Sequence, residues 1–299
     1  MIRLGSRSSK LATWQAEFVK SELGKQGIEV EILFISTEGD QSTQSLKEFG
    51  GQGAFTKRIQ QALLDEEIDF AVHSLKDLPT ERVDGLELVC VPPREATEDV
   101  WVSNKYEHWK DAEPDALVGT GSLRRQAQLL HLKSDFRVSD IRGNVDTRLQ
   151  KLDDGEFDAI VLAKAGLTRL GLGDRITAEF VVDEMLPAIG QGALGLEARS
   201  GDLETNNALA VINDAATHAA VLAERGLLRE LRAGCLAPVG ASAVVNGDDL
   251  NMSAVVLNQQ GTKRVAGTTS GSAEGAEALG VALAQELIGN GAQELLDRK

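Results

Sequence analysis

Cysteine is nearly absent: the chain has two, Cys90 and Cys235, in 299 residues. That excludes a disulfide framework and a thiolate zinc cluster. The four histidines, His73, His108, His131 and His218, show neither HxH nor HxxxH spacing, so no metal site is expected. No GK[ST] triplet occurs, which removes a phosphate-binding P-loop. Aromatic residues make up only 4 %, and no apolar run approaches the roughly eighteen residues of a membrane span. The opening MIRLGSRSSKLATWQ lacks the long apolar stretch of a signal peptide, so a cytoplasmic protein without membrane partners is expected.

What is present is a globular composition, 42 % apolar, of a length that implies about two or three domains. The net charge of −15 argues against nucleic acid as a partner. The charge is uneven. Between Gly119 and Lys151 seven basic residues face three acidic ones, a local +4. A basic island on an acidic chain points to a local anion site.

Strand and helix patterns alternate along the first two thirds. IRLG (Ile2–Gly5) and EVEILFIST (Glu29–Thr37) read as strands around a helix over Lys10–Gln26, in which Leu11, Trp14, Phe18, Val19 and Leu23 form the apolar stripe. The Gly-rich FGGQGAFTK (Phe49–Lys57) leads into a second helix, and DFAVHSL (Asp69–Leu75) is a further strand. A second α/β unit starts near Glu98. Ala116–Leu132, Phe136–Leu152 and Phe157–Leu172 each read as strand, turn and helix, with basic residues at or just beyond the strand's C-terminal end. Ligands of open α/β sheets bind at that edge. Pro92-Pro93 and Pro187–Gly195 read as two crossings, giving a hinged cleft between 1–93 with 193–212 and 98–188. Residues 215–299 read as a small α+β domain of two helices and three strands.

Several residues stand out chemically. Arg124-Arg125 opens a helix, where cations oppose the dipole, so an anion is expected to compensate them. Arg142, Arg148 and Arg169 share the proposed edge, and Arg7 occupies the first turn of the other lobe. Guanidinium binds carboxylates through two parallel hydrogen bonds. SLKDLP (Ser74–Pro79) sets Lys76 and Asp77 just after a strand, where an acid can act as base or stabilise a cation, or serve as a helix cap. Cys235 lies in a Gly/Pro loop, AGCLAP, whereas Cys90 lies in a strand and reads as core. GQGALG (Gly190–Gly195) fits a dinucleotide fingerprint, but Pro187 interrupts the preceding strand, so a tight turn between domains is the better reading.

Taken together, RSSKLATWQA (Arg7–Ala16), GGQGAFTK (Gly50–Lys57), AVHSLKDLP (Ala71–Pro79), VGTGSLRRQAQL (Val118–Leu129), IRGNVDTRL (Ile141–Leu149), LPAIGQGALGLE (Leu186–Glu197) and GCLAPVG (Gly234–Gly240) resemble the porphobilinogen deaminases in order through almost the whole chain. The resemblance implies two lobes like those of type II periplasmic binding proteins, with a central cleft, and a small third domain. It implies head-to-tail condensation of four porphobilinogens into hydroxymethylbilane, with loss of ammonia, on a dipyrromethane cofactor joined by a thioether to Cys235. By the same resemblance Asp77 is the essential carboxylate. Lys76, Thr120, Ser122, Arg124, Arg125 and Gln191 contact the cofactor. Arg7, Ser9, Gln15, Arg142, Arg148 and Arg169 hold substrate and growing chain. A monomer is expected, with porphobilinogen as small-molecule partner. The chain departs from the family pattern at Glu48, Gln52, Gly121 and TEGD (Thr37–Asp40). A two-lobed solute-binding module is the alternative that the same cleft and arginines allow, and a nucleotide-dependent oxidoreductase is the one that GQGALG allows.

Overall fold

The computed structural model describes residues 1–36, 56–234 and 237–296. Two five-stranded sheets and one three-stranded sheet form the framework. In the first sheet, β1 (Ile2–Ser6) pairs in parallel with β2 (Val30–Phe34) and β3 (Phe70–Ser74). β4 (Leu86–Cys90) ends the sheet at the far edge. In the second sheet, β5 (Asp99–Val102) runs antiparallel to β8 (Ala159–Ala163) and to the short β9 (Ala178–Glu179). There β6 (Leu117–Gly119) lies parallel to β7 (Arg137–Ser139) and β8. β10 (Leu194–Arg199) returns to the first sheet and inserts antiparallel between β3 and β4.

The two strand orders, β2-β1-β3-β10-β4 and β7-β6-β8-β5-β9, follow one plan. In each, three parallel strands are followed by one antiparallel strand, which the chain supplies straight after a crossing. Residues 91–98 make the first crossing and residues 180–193 the second. They touch where Glu95 N–H donates to Gly192 O at 3.2 Å. GQGALG is therefore the end of a crossing and the start of β10, not a strand-to-helix turn, and the tight-turn reading holds.

Helices cover both faces of each large sheet. α1 (Lys10–Lys25) starts where Ser9 Oγ accepts from Ala12 N–H, and it packs Ala16, Val19 and Leu23 against Leu4, Phe70 and Leu196. α2 (Lys57–Leu64) packs Ile59, Ala62 and Leu63 on the opposite face, against Ile68 and Ala71. Trp14 departs from the expected stripe. It is 36 % exposed and stacks on Phe18, while Gln15 takes the buried place and donates to Ser74 Oγ at 2.8 Å. In the second sheet, α3 (Leu123–Leu132) lies with the Trp101 and Phe136 core. α4 (Val145–Asp153) and α5 (Lys164–Arg169) cover the Val100 and Ile160 face. α6 (Leu203–Ala210) closes the first lobe beside β4 and β10.

The remaining unit is the antiparallel sheet of β11 (Val239–Asn246), β12 (Asp249–Leu257) and β13 (Arg264–Ser272). It packs against α7 (Ala215–Glu230) and α8 (Ala276–Gly289), and a short α9 (Ala292–Leu296) follows. This unit touches both lobes. Val221 of α7 packs with Leu75 and Leu78, and Val255 and Leu257 of β12 pack with Ala127 of α3. The architecture is thus two mixed α/β sheets plus a small antiparallel sheet with helices.

Candidate functional site

Parallel strands put their C-terminal ends on one edge, and the sequence places its candidate residues there. Arg7 follows β1. β3 runs into a single 3-10 turn, Leu75–Asp77, whose Leu78 N–H donates back to Leu75 O at 3.2 Å. Pro79 then forces Leu78 into an extended conformation, φ −81° and ψ 118°, so the turn stops with Asp77 exposed at its end. Lys76 sits beside it, half-buried. Burial pushes the Lys76 ammonium down to about 8, helped by the positive charge of Arg125 and Arg124 and opposed by Asp77 and Asp99.

Across from this turn lies an arginine wall on the second lobe. Ser122 caps α3, accepting from Arg125 N–H, and Thr120 is buried with its Oγ1 accepting from Ser122 N–H at 3.2 Å. Arg124 and Arg125 are only 3 % and 6 % exposed. The anion expected to compensate them is in large part the chain's own: Asp99, the first residue of β5. Arg124 Nη1 donates to Asp99 Oδ2 at 2.5 Å, and Arg125 Nε donates to Asp99 Oδ1 at 2.8 Å. Burial pushes the Asp99 carboxyl up, but the two guanidiniums outweigh it and hold it well below the usual carboxylate range. One carboxylate against two guanidiniums leaves a buried positive charge, and Arg124 Nε has no partner among the described residues.

Arg148, in α4, donates from Nε to Gly143 O at 2.7 Å. Burial lowers its ionisation to about 10, with Arg125 and Arg142 pushing the same way and Asp140 and Asp77 opposing. Asp77, on the first lobe, thus acts electrostatically on both Arg125 and Arg148 of the second. Arg142 is less enclosed and donates to Asp140 Oδ2 at 2.8 Å. Gly121 leaves room beside that acid: a Cβ there would lie 3.0 Å from Asp140 Oδ1. Direct contacts also bridge the lobes. Lys10 Nζ lies 2.6 Å from Asp146 Oδ2, and the Arg169 guanidinium lies 5.5 Å from the centre of the Trp14 ring. Arg169 also donates to Gly192 O at 2.7 Å, and its Nε has no partner among the described residues.

Some predicted site residues sit behind the wall. Gln191 is fully buried, and its Nε2 donates to Thr97 O and Asp99 Oδ1 at 2.7 and 2.9 Å. Gln15 is buried under Ser74, and Ser9 serves as the α1 cap. Gln191 thus backs the arginine wall, while Ser9 and Gln15 lie at the start of α1 in the first lobe. Cys235, the segment 50–55 of GGQGAFTK, and the departures at Glu48, Gln52 and Thr37–Asp40 lie outside the described residues.

Sequence reasoning overlooked Asp99 and the pair Arg94–Glu224. Glu224 of α7 is fully buried. It takes Arg94 Nη1 and Nη2 at 2.8 and 3.0 Å, Gly190 N–H at 2.7 Å and Ala243 N–H at 3.0 Å, joining both crossings to the third unit. The one available signal was an acid inside an apolar stretch: Asp99 opens DVWV, and Glu224 interrupts VLAERGLL. His73, read as a satisfied core residue, is one: its Nε2 lies 3.2 Å from Glu197 Oε2.

The site residues fit a ligand carrying several carboxylates. Among the described residues Asp99 is the one carboxylate that hydrogen-bonds Arg124 and Arg125, and the Nε atoms of Arg124 and Arg169 lack partners there. No group of three or more metal-ligating side chains occurs among the described residues, and none of their helices is long and apolar enough to cross a membrane.

Among solved structures, the chain is similar to a putative methionine-binding lipoprotein from Bacillus subtilis, at 12 % identity over 71 % of this chain and 89 % of that one, TM-score 0.44. It is also similar to a periplasmic substrate-binding protein of an ABC transporter from Coxiella burnetii, at 13 % identity over 71 % and 92 %, TM-score 0.45. A nutrient-binding protein from Burkholderia cenocepacia bound to methionine aligns at 13 % identity over 70 % and 90 %, TM-score 0.45. Residues 2–207 match the family model described as porphobilinogen deaminase, dipyromethane cofactor binding domain, and residues 218–289 match porphobilinogen deaminase, C-terminal domain. The chain therefore belongs to the porphobilinogen deaminase family, the transferases that condense four porphobilinogens into hydroxymethylbilane.

Proposed function

We propose that the condensation takes place between the Lys76–Asp77 turn and the arginine wall. The observation that carries this reading is Asp77's placement: exposed at the C-terminal edge of β3, within electrostatic reach of Arg125 and Arg148 on the opposite lobe. Each porphobilinogen carries an acetate and a propionate. Arg7, Arg142, Arg148 and Arg169 bind these carboxylates, each desolvated charge-assisted contact contributing about 1.5–3 kcal/mol. Lys76, Arg124, Arg125, Thr120 and Ser122 hold the cofactor's side chains, with Asp99 and Gln191 fixing the two arginines from behind. Bound dipyrromethane supplies the free pyrrole carbon on which the chain grows. Cys235 is its thioether anchor.

Loss of ammonia from porphobilinogen leaves positive charge spread onto the pyrrole nitrogen. The Asp77 carboxylate stabilises that charge. After the carbon–carbon bond forms, the same carboxylate accepts the proton released when the ring regains aromaticity. The arginines meanwhile keep the reacting carbons in register, which converts an encounter into an effectively intramolecular step.

The lobes divide as 1–93 with 193–212, 98–188, and a third domain over 215–299. Membership of the three sheets supports this division. The protein acts as a cytoplasmic monomer on a small molecule.

Mass spectrometry tests the reading. The purified protein should exceed its sequence mass by one dipyrromethane, and Cys235→Ala should remove the excess. Brief incubation with porphobilinogen should add a ladder of pyrrole units. Asp77→Asn should retain the cofactor mass and lose the ladder. An intact ladder in that variant refutes the role of Asp77; an unmodified, active protein refutes the anchor.

A further inference from the structure

One basic residue at the edge of the site comes from the third unit. Arg225 lies on α7, one turn beyond Val221, and the two share a face. Val221 packs against Leu75 and Leu78. Arg225 Nη1 donates to Leu78 O at 2.9 Å, and Nη2 donates to Pro79 O at 2.7 Å. These are the two carbonyls that directly follow Asp77. Among the described residues no backbone amide donates to either. Pro79 has no N–H of its own with which to extend the turn.

The Asp77 turn is thus held at two points. On its N-terminal side Leu75 N–H donates to Ala193 O at 3.0 Å, which ties it to the start of β10. On its C-terminal side a guanidinium fork fixes two consecutive peptide planes. A fork with splayed donors meets both carbonyls at once, whereas an ammonium is a single point charge. Asp77 itself is exposed at the end of a one-turn helix. Its backbone direction therefore depends on what anchors the next two residues.

We propose that Arg225 is a positioning residue for the condensation: it aims Asp77 into the cleft by clamping the Leu78 and Pro79 carbonyls from the third domain. This rests on the reading of Asp77 as the carboxylate at the reacting centre. A consequence is that the third unit, which packs Val221 of α7 on the same turn, also sets the direction of Asp77.

The test uses the full-length, cofactor-loaded protein, with loading checked by mass. Arg225→Met should lower kcat about ten- to hundredfold, the scale of a misplaced catalytic group. The KM for porphobilinogen should stay within about twofold, because the carboxylate-binding arginines are untouched. Arg225→Lys keeps the charge and the packing stem but not the fork, and it should restore only a small part of the rate. In an Asp77→Asn background, adding Arg225→Met should change the residual rate of pyrrole addition less than twofold, since the clamp acts through the carboxylate. Wild-type kcat in Arg225→Met overturns the inference, as does a further loss in the double variant as large as in the single one. If instead Asp77→Asn alone keeps its rate, the reading of Asp77 is what fails.

Discussion

Asp99 and Arg124 form a buried ion pair at 2.5 Å, on strand and helix of the same lobe, and this pair decides how the arginine wall is built. A guanidinium at the start of α3 opposes the helix dipole and has lost its water. The carboxylate that offsets it comes from the first residue after the crossing. The wall's position is therefore coupled to the second crossing through Gln191, which holds the same carboxylate at 2.9 Å.

Asp99→Asn should destabilise the protein by about 3–5 kcal/mol, because two buried guanidiniums lose their common anion. At the size of this chain that is a fall in Tm on the order of 10 °C. The pH dependence has a definite sign. The folded carboxyl ionises below its ordinary value, so its contribution is present above about pH 4 and is lost as pH falls toward the folded value. Melting curves across pH should show wild type and variant converging only in acid. An equal Tm at pH 7 would show that the pair contributes no net stability.

Lys76 is the group expected to titrate near the working range. With its ionisation lowered to about 8, chiefly by burial, it carries its charge below that pH and loses it above. The stabilisation that the bound cofactor's carboxylates give the fold, read as the Tm of loaded minus cofactor-free protein, should shrink as pH rises through about 8, and Lys76→Arg should flatten that fall. Stability of the cofactor-free protein moves the other way. Between about 8 and the unfolded value near 10.4 the unfolded chain holds the extra proton, so stability rises with pH. Lys76→Met should abolish the rise, as read from denaturant midpoints.

Arg142 differs from Arg124 and Arg125 in being only lightly tied, to Asp140. Arg142→Leu should leave the fold intact, with a Tm change of about 2 °C or less, since surface pairs contribute about 1 kcal/mol at most. It should nonetheless block pyrrole addition at initiation or elongation, visible as a truncated ladder by mass. Unchanged single-turnover kinetics would remove it from the site.

Much of this was legible in the sequence, for physical reasons that differ by residue. Alternating apolar segments gave the strands, and parallel connection put Arg7, Asp77, Arg125 and Arg148 on strand ends that face each other. Periodicity misplaced Trp14, because a large ring satisfies the helical stripe whether it packs inward or, as here, lies against Phe18 and the Arg169 guanidinium across the cleft. Gln15, expected at the substrate, donates one N–H to Ser74 from its buried place on α1, a partner that spacing does not reveal. Asp99 and Glu224 carried only the signal of an acid within an apolar stretch, and Arg225 none, since each acts on residues far along the chain and the sequence does not name those partners. Long-range polar pairing is set by the tertiary fold, which composition and spacing do not encode.

The junction of the crossings provides a last prediction. Gly192 has φ +83°, and a Cβ there would lie 2.3 Å from Glu95 O and 2.8 Å from Ala96 O. Both are backbone atoms, so no side chain can swing aside. The same residue's carbonyl accepts from Glu95 N–H and from Arg169 Nη2. Gly192→Ala must therefore push the two crossings apart while straining the backbone, a loss of at least about 2 kcal/mol. It should also weaken substrate binding, because Arg169 is drawn from its anchor. Gly24, near the end of α1, has neither positive φ nor any atom within 4 Å of a Cβ. Gly24→Ala should add about 0.5–1 kcal/mol. Denaturant unfolding of the two variants side by side checks both signs, and a stable Gly192→Ala protein with normal KM would mean that the crossings are free to separate.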